Sequence, residues 1–259
     1  MLLGEKSVPG DYAVLAPIYD QIGMSDFTRN ITSRLIDYAQ HIDWLGRRIV
    51  VLGCGTGASI QYLSEYPYSL IGVDNSPEML EIAKQKLNTP GLNLKWFQQD
   101  MRELGNNIGG ADLVLALNVM NELNSLRDLE AVFGSVQRIL EPGKLFMFDM
   151  LTVQGLTEDG SNGSGMAYDD GKVLTVFSSN EYDYERQMLT RQLLIFQQNG
   201  SSWNRAEAKL ILRAFPVQAI ASLLQRSGFA IKTLLHTNLE TYEPGVSRAP
   251  RVIFVAERQ

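Results

Sequence analysis

Cysteine and histidine are nearly missing from this chain of 259 residues: Cys54 stands alone, and His41 and His236 are the two histidines. A single thiol excludes an internal disulfide and any multi-cysteine metal site, and two scattered imidazoles leave little with which to hold zinc. Long apolar runs are absent too. None approaches the roughly 18 residues that cross a bilayer, and the opening Met1-Leu2-Leu3-Gly4-Glu5-Lys6 lacks the apolar core of a secretory signal, so the expectation is a cytoplasmic protein without membrane contact. Positive charge is also in short supply. The 23 Lys and Arg residues are outnumbered by 29 Asp and Glu, which argues against a broad phosphate-binding surface and so against nucleic acid as a partner. Against these absences, a hydrophobic fraction of 45% excludes disorder. The length suits one large α/β domain, or a domain carrying an insertion.

The chain is organised around Ile49-Val50-Val51-Leu52-Gly53-Cys54-Gly55-Thr56-Gly57. Four apolar residues running into three alternating glycines read as a buried parallel strand ending in a turn that brings backbone close to a ligand. A helix over 58–66 would aim its free N–H groups at the same place. Upstream, 1–10 reads as a loose tail, and a helix over 26–44 starts at Ser25 with Ile31, Leu35, Tyr38, Ala39 and Ile42 on one face. Downstream, strands at 69–73, 93–98, 111–117 and 144–148 alternate with helices. One helix opens at Ser76-Pro77-Glu78, with Ser76 as N-cap, and another opens at Ser125.

This repeated order demands a doubly wound parallel sheet with right-handed crossovers, whose ligands bind beyond the carboxyl ends of the strands. Asp74, Asp100, Asn118 and Asp149 all fall at such ends. The pattern then changes. Residues 155–165 are rich in Gly, Ser and Asn and read as a mobile linker. Residues 166–214 are strand-like, with Asn199-Gly200 as a hairpin turn, and read as an antiparallel β insertion. Pro216 begins a last helix, and strands at 230–235 and 252–256 close the sheet as an antiparallel pair, making it seven-stranded. The domain division is therefore 1–150 for N-terminal cap helices and an α/β core, 151–215 for the insertion, and 216–259 for the closing elements.

Gly53, Gly55 and Ala58 also satisfy the dinucleotide pattern G-x-G-x-x-A, with Asp74 about where a ribose-binding acid belongs. The wider set of segments separates the readings. Val51-Leu52-Gly53-Cys54-Gly55-Thr56-Gly57, Ile71-Gly72-Val73-Asp74-Asn75-Ser76-Pro77-Glu78-Met79-Leu80, Gln99-Asp100-Met101 and Leu140-Glu141-Pro142-Gly143 resemble, in order and spacing, the motifs of class I S-adenosylmethionine-dependent methyltransferases, which have a Rossmann-like sheet. The resemblance covers roughly 12–149 and the closing strands. It implies S-adenosyl-L-methionine as cofactor and gives each residue a role. Gly53, Gly55 and Gly57 would let the backbone approach the methionine part, beside Cys54. Asp74 would accept from both ribose hydroxyls. Asp100 would take the adenine amino group, with Met101 reading the ring edge and Asn75 and Met79 covering its faces. Asn118 would line the floor near the sulfonium, and Tyr12 or Tyr19 would cap it through a π face or a phenol. Plainer readings stand beside these: Asp74 as a helix cap, Asp100 as a turn residue, the tyrosines as packing, and Cys54 as a small buried side chain.

Methyl transfer is an in-line displacement that chiefly needs the acceptor atom held and aligned. A base is needed where the acceptor must first lose a proton, and Glu122, Asp149 and His236 are the candidates by position, His236 equally as a capping histidine. Asn118-Val119-Met120-Asn121 lacks the Pro-Pro-aromatic continuation that clamps an exocyclic base amine. The insertion resembles the sheet that covers the acceptor in small-molecule methyltransferases, some sugar amine N-methyltransferases among them. It is expected to be a lid hinged at 155–165 and offering Tyr168, Asp169, Tyr182 or Tyr184 to the substrate, or a homodimer surface. Deleting it is expected to abolish methylation and spare cofactor affinity. Three functions stay open on these residues: methylation of N or O on a small molecule, methylation of protein or RNA, and cofactor binding or nicotinamide oxidoreduction without methyl transfer.

Overall fold

The computed structural model describes residues 10–259, so the tail expected at 1–10 lies, apart from Gly10, outside the described residues. A short helix α1 (Tyr12–Leu15) and the long α2 (Asp26–His41) precede β1 (Arg48–Leu52), α3 (Ala58–Leu63), β2 (Ser69–Asp74), α4 (Pro77–Lys86), β3 (Leu94–Gln98) and β4 (Ala111–Ala116). A single 3-10 turn (Met120–Glu122) follows, then α5 (Leu126–Ile139) and β5 (Leu140–Leu151). The insertion is α6 (Val153–Ser161) with β6 (Ser164–Asp169), β7 (Leu174–Asp183), β8 (Met188–Asn199) and β9 (Ser202–Arg213). The chain closes with α7 (Val217–Arg226), β10 (Phe229–Leu235) and β11 (Arg251–Arg258).

Seven strands form one sheet in the order β10-β11-β5-β4-β1-β2-β3. It is parallel from β5 to β3, and β11 runs antiparallel between β5 and β10. Successive side chains of β1 go to opposite faces, as a pleated strand requires. Ile49 and Val51 pack with Leu35 and Trp44 on one side, while Val50 and Leu52 join Phe133, Phe146 and Phe254 on the other. Strand order reverses between β4 and β1, and the crevice that opens there is the place for a ligand in such sheets.

The expected caps at Ser76 and Ser125 are present: Ser76 Oγ accepts from Met79 N at 3.2 Å and Ser125 Oγ from Asp128 N at 3.1 Å. Ser25 is different. It precedes α2, but its hydroxyl accepts from Arg29 Nη2 at 3.1 Å and makes no cap bond to the helix backbone.

The insertion is a four-stranded antiparallel sheet, β6-β7-β8-β9, turned through Gly200 at φ 62°. Its inner face, with Val176, Ile195 and Leu210, is buried against Leu15 and Ile18 of the N-terminal cap. The linker expected at 155–165 is corrected. Most of that stretch is helix α6, capped by Thr152 Oγ1 accepting from Gly155 N at 3.2 Å, with Leu156 fully buried. Arg191 holds it to β8 through an ion pair with Asp159 at 2.8 Å. Its glycines serve close packing rather than mobility: a Cβ at Gly155 would overlap the Pro250 carbonyl, and one at Gly160 would stand 2.6 Å from Tyr182 Cβ. Tertiary fit overrides the low helix propensity of the segment. Among the described residues no helix is long and apolar enough to cross a membrane.

This packing makes a test of sign. Gly→Ala inside a helix ordinarily stabilises, whereas Gly155→Ala should destabilise the protein by about 1–3 kcal/mol through overpacking, read by chemical denaturation. A midpoint equal to or above the parent's contradicts a fitted α6.

Candidate functional site

A cavity of about 1190 Å³ opens at the carboxyl ends of β1, β2 and β4 and runs to the inserted sheet. It is larger than the roughly 300–1,000 Å³ of most single-ligand pockets, so it has room for two molecules. Most residues expected at the cofactor line it: Tyr12, Tyr19, Gly53, Cys54, Gly55, Asp74, Asn75, Met79, Asp100, Met101 and Asn118, together with Glu122.

The parallel register places Asp74, at the tip of β2, beside the glycine turn. Its Oδ2 accepts from Gly55 N at 2.7 Å and its Oδ1 from Ser76 N at 2.9 Å. Each carboxylate oxygen keeps a further lone pair, enough for a diol. Asp74 is thus both a turn-capping residue and an open acceptor. Burial raises its pKa, with those amides pulling the other way. Of the three glycines, Gly55 alone faces open space, with φ 53° and nothing within 4 Å of the position a Cβ would take. Gly53 is required by the Val119 side chain, which a Cβ would strike. Gly57 does not line the cavity. It is the left-handed N-cap of α3, and a Cβ there would press on Leu87 at 3.1 Å and Ala83 at 3.3 Å, so its expected role at the ligand is replaced by helix packing.

Asp100 is held by Arg102, which donates from its backbone N at 2.9 Å and from Nη2 at 2.6 Å, while Asp128 holds the guanidinium from behind at 3.3 Å. Burial pushes the Asp100 pKa up, but the Arg102 hydrogen bonds outweigh it and keep the group below the usual range. Arg102 Nε also stands 3.0 Å from both oxygens, so three donors make four contacts and little acceptor capacity is left for an amino group. The N-terminal cap is fastened across the turn by Asp20, which accepts from Thr56 Oγ1 at 2.7 Å and pairs with Lys86 at 2.5 Å. These residues fit a nucleoside: an acceptor acid for a diol, Met79 and Met101 as apolar walls, and bare backbone at Gly55 for the tail.

Tyr12 and Tyr19 stand together over the crevice, ring centroids 6.3 Å apart. Tyr12 donates its phenol hydrogen to Glu122 Oε1. Burial, then the nearby Glu122 carboxylate, raises both phenols well above their ordinary value. Glu122 faces the cavity with protein all round it, and that desolvation lifts its pKa from 4.5 to about 7, against the Tyr12 hydrogen bond and with the charge of Asp74. Because these tyrosines sit on the segment buried against the insertion, removing the sheet would release them. The expectation that its deletion spares cofactor affinity is withdrawn in favour of a loss of both.

The other two base candidates are corrected. Asp149 is fully buried and spent on structure: it accepts from Asn118 N at 2.7 Å and is ion-paired with Arg251. Arg251 in turn donates to Asn118 Oδ1 at 3.1 Å and lies 3.9 Å over the Phe27 ring. The cluster fixes Asn118 at a positive φ of 56°, a conformation asparagine tolerates better than most residues. His236 lies off the cavity, beyond β10, its backbone bonded to Glu240 O at 2.8 Å and its ring against Tyr242. The insertion residues named from sequence do not reach the cavity either. Tyr182 packs with Leu156 and Leu189, Tyr168 packs over the inner face, and Asp169 and Tyr184 are exposed. Arg186, Met188, Leu210, Ile211 and Arg213 line it instead. Asn121 was missed as well. Its side chain bonds Leu151 O and Arg213 O, both at 2.9 Å, and so pins the sheet to the core beside Glu122. Nothing in a lone Asn signals that.

Asp74→Ala should weaken S-adenosylhomocysteine binding by about 1.5–3 kcal/mol, the range for a charged hydrogen-bond partner, with calorimetry as the check. Unchanged affinity contradicts the placement of the nucleoside at β2.

Residues 49–143 match the family model described as a methyltransferase domain. A putative methyltransferase of Bacillus subtilis, YqeM, is 29% identical over 212 residues, spanning 82% of this chain and 84% of its own. Among solved structures, an S-adenosylmethionine-dependent methyltransferase from Clostridium acetobutylicum superposes with a TM-score of 0.80 at 21% identity, over 95% of this chain and 98% of its own. The sugar N-methyltransferase KedS8 from Streptoalloteichus superposes at 0.77 and 20% identity, over 100% and 99%. At those identities the structures speak for the fold, insertion included. The matched segment is the stretch from β1 to the Pro142-Gly143 turn that carried the resemblance in sequence, and the chain contains a methyltransferase domain on the fold seen in S-adenosylmethionine-dependent methyltransferases.

Proposed function

We propose that the chain transfers a methyl group to a nitrogen or oxygen of a small-molecule acceptor held between the cofactor grip and the inserted sheet, with Glu122 as the general base. The observation that carries this reading is the position of Glu122: one cavity contains Asp74 and Gly55 at one end, Met188 and Leu210 of the insertion at the other, and this carboxyl in between. The inserted sheet lines the acceptor end with Met188, Leu210 and Arg213, a cleft of a size that suits a small molecule. The same sheet-over-core arrangement in a sugar N-methyltransferase supports the acceptor class.

Bound S-adenosylmethionine would supply an electrophilic methyl group. The chain's own part is to align the acceptor, exclude water and take a proton. Tyr12 orients Glu122 by its bond to Oε1, which leaves Oε2 to accept the proton of an acceptor N–H or O–H. The proton then resides on Glu122 as a neutral carboxylic acid and the cofactor would leave as a neutral thioether, so no charge remains in the desolvated site. A base poised near pH 7 is matched to this task.

The pH dependence follows in sign. Glu122 works as the base only when ionised, so kcat/KM should rise with pH through about 7, the value to which burial lifts it. The same raised pKa means that the folded state holds this proton where the unfolded chain has released it. The stability the group contributes is therefore whole below 4.5 and lost as pH rises through about 7. Glu122→Gln should lower kcat by about 10²–10⁴-fold, flatten the rising limb and leave S-adenosylhomocysteine affinity near the parent's. A parental kcat with the limb intact contradicts the assignment.

A further inference from the structure

The acceptor end of the cavity holds two guanidinium groups, Arg213 at the end of β9 and Arg186 in the turn between β7 and β8. Arg213 is short of partners. Its Nη1 donates to Arg186 O at 3.3 Å, its Nη2 meets only the Met188 sulfur at 2.8 Å, and its buried Nε has no hydrogen-bond partner. Thioether sulfur is a weak acceptor, and a guanidinium presents five N–H donors in a fixed fork. Among the described residues Arg213 is in no ion pair. Arg186, itself exposed, reaches only the half-buried Asp183, at 3.7 Å. A half-buried cation left without an anion is costly, which is why such groups are ordinarily paired.

Position is fixed even though pairing is not. The Arg213 carbonyl accepts from Asn121 Nδ2 at 2.9 Å, and Arg213 is registered opposite Met188 on β8. The fork therefore stands a single residue's anchor away from Glu122, inside the same walls. An acid and a base share one cavity without neutralising each other.

We propose that Arg213, assisted by Arg186, is an oxyanion subsite, and that the acceptor is an acidic small molecule carrying a carboxylate or phosphoryl group at the end remote from its methylated N or O. The inference rests on the reading of this cavity as the acceptor site of a methyltransferase. A planar carboxylate takes two parallel N–H bonds from the fork, and a phosphoryl group takes the same pair from a tetrahedral face. Either answers the donors that the chain leaves unspent. The dipole of the pocket then sets the acceptor's direction, anion at the sheet and nucleophile at Glu122.

The test uses the whole chain saturated with S-adenosylhomocysteine, titrated by calorimetry with benzoate and with inorganic phosphate at matched ionic strength, benzamide being the uncharged control. The expected result is binding of at least one oxyanion and none of benzamide, with Arg213→Met losing about 10–100-fold in oxyanion affinity, as for a charged hydrogen-bond pair, and keeping its S-adenosylhomocysteine affinity. Benzoate alone points to a carboxylate acceptor, and phosphate to a phosphoryl one. Should Arg213→Met fail to fold, Arg213→Lys keeps the charge without the fork and should weaken benzoate by a similar factor. Oxyanions bound no better than benzamide, or bound equally by the variants, overturn the subsite. Loss of S-adenosylhomocysteine binding by the parent chain instead overturns the methyltransferase reading itself.

Discussion

The hydrogen bond from the Gly55 amide to Asp74 is the join on which the site depends. It ties the turn after β1 to the tip of β2 at 2.7 Å, and it exists because these strands run parallel in a register that brings Leu52 beside Val73. A left-handed φ at Gly55 turns its N–H toward the carboxylate, and the missing Cβ leaves the cavity side bare. Shift the register by one residue and every side chain on the strand changes face, so the acid and the turn could no longer meet. The core that enforces the register, with Val50 and Leu52 on one face and Ile49 and Val51 on the other, is thereby part of the site.

Around that join the molecule separates structural acids from acids left open. Asp149 and Asp20 are consumed by Arg251 and by Lys86 with Thr56, and they hold Asn118 and the N-terminal cap in place. Asp100 is mostly consumed by Arg102. Asp74 and Glu122 keep lone pairs toward the cavity, and burial raises the pKa of both. A site made of oxygens that already have one partner is pre-organised, since the side chains need not be ordered when a ligand arrives.

Much of the core was legible in the chain because its signals are local. Apolar runs ending in Gly or Asp mark parallel strands, and Ser76-Pro77-Glu78 marks a helix start by capping chemistry that needs no distant partner. The insertion was legible as strands but not in its connection. Residues 155–165 have a linker's composition, and most of them fold into α6 with the Pro250 carbonyl and the Tyr182 Cβ, distant in sequence, so close that only glycine fits at 155 and 160. Gly57 misled for a related reason: it shares a motif with Gly55, but its neighbours Leu87 and Ala83 belong to another helix. His236 drew notice by its expected position after a strand, whereas the sequence gave Arg186, Arg213 and Asn121 no role at the site, their importance arising only when the sheet folds back over the crevice.

The central claim is that one cavity orients a nucleoside by Asp74 and Gly55 and turns its reactive end toward Glu122 beneath the inserted sheet. A crystal structure of the chain with bound S-adenosylhomocysteine tests it most directly. The account predicts both ribose hydroxyls on the Asp74 carboxylate, the amino-acid tail along Gly55, and the sulfur directed at the space between Glu122 and β9. A nucleoside bound elsewhere, or one seated on Asp74 with its sulfur turned away from Glu122, would contradict it.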